Sequence, residues 1–257
     1  MLTVTPIEAF SDNYIWCLHR EGDVDAFVVD PGDAAPVLAA LQQRGLTLAG
    51  VLVTHHHYDH VGGLDGLLEQ ARVPVYGPHN PAVPQITHRL AEGDEITVLG
   101  QRFRVLQVPG HTLDHIAYFG EAETPLLFCG DTLFAGGCGR IFEGNPSMMY
   151  QSLQALAGLP PETQVYCAHE YTMANLAFAQ AVEPGNVALE ARIAADAAKR
   201  ERGLPTVPSI LSLELDTNPF LRSSQPELSH HLPERENIDA GNPVEVFAAV
   251  RGWKDNF

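Results

Sequence analysis

Seven residues of types that bind metal ions occur in four short segments of this chain. The segment Thr54-His55-His56-His57-Tyr58-Asp59-His60 supplies four of them, and single residues follow in three later segments. The seven are His55, His57, Asp59, His60, His111, Asp131 and His169. Imidazole nitrogens combined with carboxylates favour zinc, and iron and manganese accept the same ligands. The sequence therefore predicts a metal site, with zinc as the first expectation and iron or manganese as alternatives.

The spacing within the first segment divides its ligands between two ions. In an extended loop, residues two apart point the same way, so His55 and His57 can hold one ion while the residue between them points elsewhere. Asp59 and His60 follow where the chain turns into a helix, and there they can reach a second ion. Asp131 is the natural bridge, because a carboxylate has two oxygens and can bind both ions. We therefore expect two divalent metal ions per chain.

Each ligand segment follows an apolar run that is typical of a β-strand. The four runs cover residues 50–53, 103–108, 126–129 and 165–167. Functional residues often lie in loops at strand ends, where the rigid core holds them in position. If the strands lie side by side, their ends bring all seven groups to one edge. A single histidine at a strand edge is usually an ordinary polar residue, whereas metal-type residues after four separate strands form a pattern that is specific for a metal site.

Strand and helix patterns alternate in the first two-thirds of the chain and predict a sheet-containing core with helices outside. Further predicted strands cover residues 2–8, 14–19, 26–29 and 116–119, and predicted helices cover 34–44, 60–68 and 147–156. From Glu170 onward no convincing strand remains, and three helices are predicted, the last one capped by Asn242. We therefore predict one domain over residues 1–170 and a helical domain over residues 171–257.

Charge and composition argue against several classes of function. The formal net charge is −17, and a nucleic-acid partner requires a dense basic surface. No apolar run approaches the roughly 20 residues of a membrane span. The N-terminal residues lack the basic start of a secretory signal, and the four widely spaced cysteines fit reduced, buried thiols. We expect a cytoplasmic, monomeric protein with a small-molecule partner and with no nucleic-acid or membrane partner.

The metal-type residues lie in segments that resemble the metallo-β-lactamase superfamily. The pattern is His55-x-His57-x-Asp59-His60, with His111 in Pro-Gly-His-Thr, Asp131 in Cys-Gly-Asp-Thr and His169 in Ala-His-Glu-Tyr. The resemblance implies an α+β fold, a four-layer αββα sandwich with the metals at one edge, here followed by a small all-helical C-terminal domain. It also implies two ligand triads and a bridge. The first triad is His55, His57 and His111, the second is Asp59, His60 and His169, and the bridge is Asp131.

Segments outside the metal pattern resemble the hydroxyacylglutathione hydrolases, the glyoxalase II family. They begin at residues 11–16, include 136–140, 168–172, 183–186, 206–209 and 218–222, and end at 249–255. The resemblance covers nearly the whole chain. It implies hydrolysis of S-(2-hydroxyacyl)glutathione thioesters, such as S-lactoylglutathione, by a metal-bridging hydroxide, as the second step of methylglyoxal detoxification. Asp59 would then orient the hydroxide, and Asp131 would bridge the metals.

The same resemblance implies which side chains hold the glutathione part of the substrate. They are Arg140, Tyr171, Asn175, Arg251 and Lys254. Three cations around one cleft can attract the carboxylates of glutathione despite the negative total charge. Phe142 belongs to the same predicted site, but it lies where some relatives carry Tyr, so one hydroxyl contact is expected to be missing. Asp114 lies where a Gly is common, so the loop beside His111 is expected to differ in shape.

Three other functions fit part of the pattern. An iron-dependent persulfide dioxygenase also handles glutathione derivatives, but it would not be expected to use a second site of Asp59, His60 and His169. A lactonase has no evident use for the glutathione-type helical segment. A non-catalytic metal-binding or scaffold protein with the same fold would be free to lose ligands, and all seven are present here.

Overall fold

The residues of the chain group into two units by their mutual contacts. The first unit contains Met1–Gln107 and Asp114–Gly130, and the second contains Val108–Leu113 and Asp131–Phe257. A computed structural model describes residues 2–233 and 237–257. The units are defined by contacts alone, so the domain boundary near residue 170 stays a prediction.

Six strands of the first unit form one sheet, in the order β1-β2-β3-β4-β5-β6. Their bounds are β1 Leu2–Ala9, β2 Asn13–Arg20, β3 Asp25–Val29, β4 Thr47–Leu52, β5 Val75–Pro78 and β6 His88–Leu90. The first three strands pair antiparallel, and β3 to β6 pair parallel. A parallel pair needs a crossover connection, and helix α1 (Ala34–Arg44) provides it between β3 and β4. Local signals set both ends of α1, since Asp33 accepts from the backbone N–H of Ala35 and Gly45 has φ 66°.

The helix predicted over residues 60–68 is two helices in the structure, α2 (Tyr58–Val61) and α3 (Leu64–Gln70). The prediction of one continuous helix was wrong. Gly62 and Gly63 lie at the break, where the backbone N–H of Gly63 donates to the carbonyl of Pro31 at 2.9 Å. A side chain on Gly63 would collide with the backbone around Pro31 and Ala34. This close approach to a distant part of the chain ends the first helix.

Four more strands of the first unit run in the order β10-β9-β8-β7. Their bounds are β7 Glu95–Val98, β8 Gln101–Gln107, β9 Ile116–Gly120 and β10 Leu126–Gly130. Every residue of β9 and of β10 is buried, as expected for strands that are covered on both faces. Because β9 is antiparallel to both β8 and β10, the latter two run in the same direction. Their C-terminal ends therefore lie at the same edge.

The core of the first unit has apolar layers on both faces of the β1–β6 sheet. On one face α1 and α3 pack through Val37, Leu41, Leu64 and Leu67. From β9, the buried hydroxyl of Tyr118 donates to the carbonyl of Val53 at 2.7 Å. Burial raises the pKa of Tyr118 well above its usual value, and a nearby carboxylate raises it further. The phenol therefore stays protonated and keeps this hydrogen bond.

The second unit is mainly helical. Its helices are α4 Pro146–Ala157, α5 Thr172–Val182, α6 Val187–Glu201, α7 Leu211–Thr217, a 3-10 helix Pro226–His231 and α8 Pro243–Lys254. Its strands are the hairpin β11 (Leu133–Phe134) and β12 (Gly137–Cys138) and the antiparallel pair β13 (Gln164–Cys167) and β14 (Ser209–Ile210). The expectation of no strand after Glu170 was wrong, because the two-residue β14 is defined only by its distant pairing partner.

Among the residues that the structure describes, none of the helices has the length and apolar character that crossing a bilayer requires.

A buried ion pair lies inside the second unit, between α6 and α7. Nη2 of Arg192 is 2.5 Å from Oε1 of Glu214, and the two side chains are 1% and 0% exposed. Burial acts to lower the pKa of Arg192, but Glu214 and Asp196 outweigh it and raise that pKa above the ordinary value. The other oxygen of Glu214 accepts from the backbone N–H of Gly136 at 2.8 Å. The pair therefore fixes the β11–β12 hairpin as well as the helices.

Candidate functional site

Asp30, directly after β3, holds the start of the segment that carries the first four candidate ligands. Its two oxygens accept from the backbone N–H and the hydroxyl of Thr54, both at 2.7 Å. Its Oδ2 also lies 3.0 Å from Nδ1 of His60. A carboxylate this close to Nδ1 favours the tautomer that carries the hydrogen on Nδ1, which leaves the lone pair of Nε2 for a metal ion.

The four candidate ligands of the first unit converge. Ligand nitrogens of His55 lie within 4.8 Å of those of His57 and of His60. Nε2 of His60 is 3.4 Å from Oδ2 of Asp59. The same oxygen of Asp59 accepts from the amide of Asn13 at 3.0 Å. The imidazoles of His55 and His60 are fully buried, so their nitrogens face protein groups rather than bulk water.

His56, the residue between the candidate ligands His55 and His57, has a partner of its own. Its Nδ1 lies 2.9 Å from Oδ1 of Asp114, and the other oxygen of Asp114 accepts from Asn80 at 2.8 Å. His115 stacks on His55, with ring centroids 4.5 Å apart. Asp114 therefore links His56 of the metal-ligand segment to Asn80.

The three candidate ligands of the second unit meet at Asp131. Nε2 of His111 lies 3.5 Å from Oδ2 of Asp131, and Nε2 of His169 lies 3.4 Å from Oδ1. Nδ1 of His111 is 2.7 Å from the carbonyl oxygen of Arg140. A carbonyl only accepts, so Nδ1 donates and Nε2 faces Asp131 as a lone pair. Each oxygen of Asp131 thus faces a different histidine, which is the arrangement that a bridging carboxylate needs.

Two glycines allow the ligand-bearing turns to close. A side chain on Gly139 would overlap the carbonyl oxygen of Asp131 and lie 3.1 Å from Nδ1 of His111. Gly130 has φ +47°, and a side chain there would collide with Thr54 and His115. Only glycine combines this backbone conformation with so close an approach.

The donor set fits divalent metal ions. In both units the converging atoms are imidazole nitrogens and carboxylate oxygens, the donors that zinc, iron and manganese share. Nδ1 of His60 faces the carboxylate of Asp30, and Nδ1 of His111 is oriented by a hydrogen bond to the carbonyl of Arg140. Such orientation of a ligand by a second hydrogen bond is typical of metal-binding histidines.

The predicted substrate residues Tyr171 and Asn175 have different environments. Tyr171 lies at the N-terminal cap of α5 and stacks on His169, with ring centroids 4.6 Å apart and planes 8° apart. Its side chain is accessible, since the residue is 39% exposed. Asn175 is 6% exposed and donates to the carbonyl of Ala135 at 3.2 Å. Asn175 therefore supports the β11–β12 hairpin, and Tyr171 offers a surface beside a candidate metal ligand.

The three predicted cations Arg140, Arg251 and Lys254 all belong to the second unit. Arg251 is buried, donates to the carbonyl of Cys138 at 3.1 Å and lies over the ring of Phe220. Nζ of Lys254 donates to the carbonyl of Ala174 at 3.2 Å. Burial lowers the pKa of Lys254, and the charge of Arg251 lowers it further. Two cations are thus close enough to repel, which favours binding of an anion.

Arg140 is the most exposed of the three cations. Its guanidinium lies 5.8 Å from the ring centroid of Phe142, which is itself exposed. Phe142 contacts His111 edge-on, with centroids 5.3 Å apart. The aromatic ring therefore covers a candidate ligand, although it lacks a hydroxyl.

Several supporting residues were not identified from the sequence. They are Asn13, Glu214, Asn218 and Asp255. Asn13, Asn218 and Asp255 lie in the glyoxalase-like segments 11–16, 218–222 and 249–255, so their position in matched segments was a usable signal. Asn218 donates to the carbonyls of Phe134 and Gly137 at 3.2 and 2.9 Å, a long-range contact that no local pattern indicates.

Comparisons with known proteins cover the whole length of this chain. A family model described as "Metallo-beta-lactamase superfamily" matches residues 18–169, and one described as "Hydroxyacylglutathione hydrolase C-terminus" matches residues 170–257. The curated hydroxyacylglutathione hydrolase of Chromohalobacter salexigens is 51% identical over 257 residues, which is 100% of both chains.

Solved structures show the same fold. The ETHE1 protein from Myxococcus xanthus is 27% identical, with a TM-score of 0.64 over 99% of this chain and 98% of that chain. The protein TTHA1623, solved in a di-iron-bound form, is 30% identical, with a TM-score of 0.55 over 65% of this chain and 92% of that chain. The expected α+β metallo-β-lactamase fold with a helical C-terminal region is confirmed.

The superfamily match and the histidine and aspartate clusters support a dinuclear site for divalent metal ions. The relatives match over the full length of the chain, including its helical C-terminal region. The chain belongs to the hydroxyacylglutathione hydrolase family, within the metallo-β-lactamase superfamily of metal-dependent hydrolases.

Proposed function

We propose that this chain hydrolyses S-(2-hydroxyacyl)glutathione thioesters, with S-lactoylglutathione giving lactate and glutathione, as the second step of methylglyoxal detoxification. The observation that carries the proposal is full-length identity of 51% to a curated hydroxyacylglutathione hydrolase. The chemistry of the described residues agrees with it. One unit carries histidine and carboxylate donors together with three cations and a half-exposed tyrosine.

The seven candidate ligands would hold two metal ions. The assignment places His55, His57 and His111 on one ion, Asp59, His60 and His169 on the other, and Asp131 on both. Zinc is the metal we propose, with iron and manganese as alternatives that the same donors accept. When bound, two such ions lower the pKa of a shared water towards about 7 and polarise the carbonyl of the substrate.

The chain itself contributes orientation. Asn13 donates to Asp59 at 3.0 Å, which fixes the carboxylate that would accept a hydrogen bond from the attacking water. Asp30 and the Arg140 carbonyl fix the rings of His60 and His111. The departing thiolate of glutathione has a pKa of about 8.5, so it leaves without a strong general acid.

The glutathione part of the substrate would bind in the second unit. Arg140, Arg251 and Lys254 supply positive charge for its carboxylates, and Tyr171 supplies an accessible ring and hydroxyl. Phe142 adds an apolar surface. Asn175 would support this site indirectly, because its amide donates to the carbonyl of Ala135 in the β11–β12 hairpin at 3.2 Å.

We further propose a cytoplasmic monomer whose partner is this small-molecule substrate. All four cysteines are thiols in buried positions, which fits a reducing compartment that contains glutathione.

Metal analysis combined with substrate comparison tests the proposal. The purified protein should contain two metal ions per chain and should hydrolyse S-lactoylglutathione much faster than a lactone. Asp131→Ala should lose metal and activity together, whereas Asp23→Asn in an exposed turn should lose neither. Faster hydrolysis of the lactone would refute the proposed substrate class. Oxygen uptake with glutathione persulfide, together with one iron per chain, would refute the proposed hydrolysis. Full activity of Asp131→Ala with one metal would refute the bridging role of Asp131.

A further inference from the structure

A carboxylate of the chain already lies on two of the cations that are proposed for the substrate. Oδ1 of Asp255 accepts from Nη2 of Arg251 at 3.1 Å and lies 3.7 Å from Nε of Arg140. Asp255 is the C-terminal cap residue of α8, one turn after Arg251. Its side chain therefore occupies the place where a carboxylate of the substrate would be attracted.

The side chain of Asp255 can move away from Arg140 and Arg251. Its side chain is 30% exposed and that of Arg140 is 62% exposed, whereas the Arg251 side chain is only 9% exposed. An exposed pair at this distance contributes little stability. Arg251 also keeps its bond to the carbonyl of Cys138 at 3.1 Å. Release of Asp255 into water therefore leaves Arg251 in place.

The surrounding charges favour an anion that comes from outside. Lys254 and Arg251 are close enough that Arg251 lowers the pKa of Lys254. The single negative charge of Asp255 does not balance the positive charges of Arg140, Arg251 and Lys254, so a second carboxylate is still attracted. It also meets the like charge of Asp255, however, and that repulsion weakens its binding.

We propose that Asp255 is a specificity-determining residue that competes with a carboxylate of the glutathione part for Arg140 and Arg251. This proposal rests on the proposed function. Asp255 weakens binding of every substrate that presents a carboxylate at this position, and it has no effect on a thioester without one. It thereby raises KM for the glutathione thioester and eases release of glutathione.

Asp255→Asn tests the competition with the metal-loaded, full-length enzyme. The amide oxygen still accepts from Arg251, while the negative charge is gone. KM for S-lactoylglutathione should fall about two- to fivefold, the range expected for a partly exposed ion pair, with kcat within about twofold. The Kd of S-methylglutathione, measured by calorimetry, should fall by the same factor. Added salt should reduce both differences.

Two controls separate competition from a general change of charge. Glu201→Gln removes an exposed carboxylate of α6 and should leave KM and Kd unchanged. The neutral thioester S-lactoyl-N-acetylcysteamine should show the same kcat/KM with Asp255→Asn as with the unchanged chain. Asp255→Ser provides a second variant, which should shift Kd in the same direction.

An increase or no change in Kd for both Asp255 variants overturns the proposal, because Asp255 would then merely position Arg251 or have no role. Equal gains with the neutral thioester overturn it as well. Failure of the proposed function is distinguishable: the unchanged chain would bind S-methylglutathione without hydrolysing S-lactoylglutathione. If the unchanged chain does not bind S-methylglutathione, the competition is also disproved.

Discussion

Oδ2 of Asp30 lies 3.0 Å from Nδ1 of His60, although helix α1 and strand β4 separate the two residues in the sequence. The same carboxylate accepts two hydrogen bonds from Thr54. One buried acid thus fixes the start of the ligand segment and the orientation of a ligand within it. These contacts favour a single conformation of the segment that contains three adjacent histidines.

Asp30→Asn should weaken metal binding. Asparagine keeps one acceptor for Thr54 but loses the negative charge that lies against Nδ1 of His60, and loss of such a supporting partner typically costs about 10- to 100-fold in metal affinity. Competition with a chromophoric chelator measures that affinity. Asp23→Asn serves as the matched control in an exposed turn. Unchanged affinity in Asp30→Asn would show that the contact does not orient His60.

Glu214→Gln should strongly destabilise the second unit. It removes the nearer of the two carboxylates beside the buried guanidinium of Arg192, the one at 2.5 Å, and leaves only that of Asp196 at 3.4 Å. Breaking a buried pair costs about 3–5 kcal/mol. Urea unfolding, followed by circular dichroism, measures the loss. The exposed Glu201→Gln should change stability by less than about 0.5 kcal/mol. Equal stabilities of the two variants would contradict the structural role of the pair.

Lys254→Met should raise thermal stability while weakening substrate binding. Burial and Arg251 lower the pKa of Lys254 below its ordinary 10.5, so the unfolded state binds the proton more tightly. The unfavourable contribution is fully present below the folded pKa and disappears as the pH rises to the unfolded value. Calorimetry should show a higher Tm for the variant at pH 7 and a smaller difference above pH 10.5. KM for the glutathione thioester should rise, because one cation is lost. A lower Tm at pH 7 would show that the charge is stabilising.

Cys138 should resist alkylation in the folded protein. Burial raises the pKa of its thiol to about 11, and the charge of Arg251 only partly offsets this. At pH 8 the thiol is therefore protonated, and the thiolate is the reactive form. Peptide mass spectrometry after iodoacetamide treatment should find Cys138 unmodified in the native state and modified in urea. Rapid native labelling at pH 8 would contradict the burial of this thiol.

Local patterns in the sequence identified the ligands and most of the elements. Asn186 and Asn242 cap helices because their side chains accept from backbone N–H groups two or three residues away. The strands before the ligands are predicted by apolar runs, and three of these four runs, residues 50–53, 126–129 and 165–167, are wholly buried. These signals lie within a few residues of the structure they determine, so one sequence is sufficient to recognise them.

The sequence by itself thus determined the donor types, their spacing, the strands that precede them and the family resemblance. Only the tertiary structure decided that Asp30 lies against His60, that Glu214 pairs with Arg192 and that Asp255 lies near Arg140. It also revealed strand β14 and the helix break at Gly62 and Gly63. The physical reason is that these features depend on contacts between segments far apart in the chain, and no local preference of either segment specifies its partner.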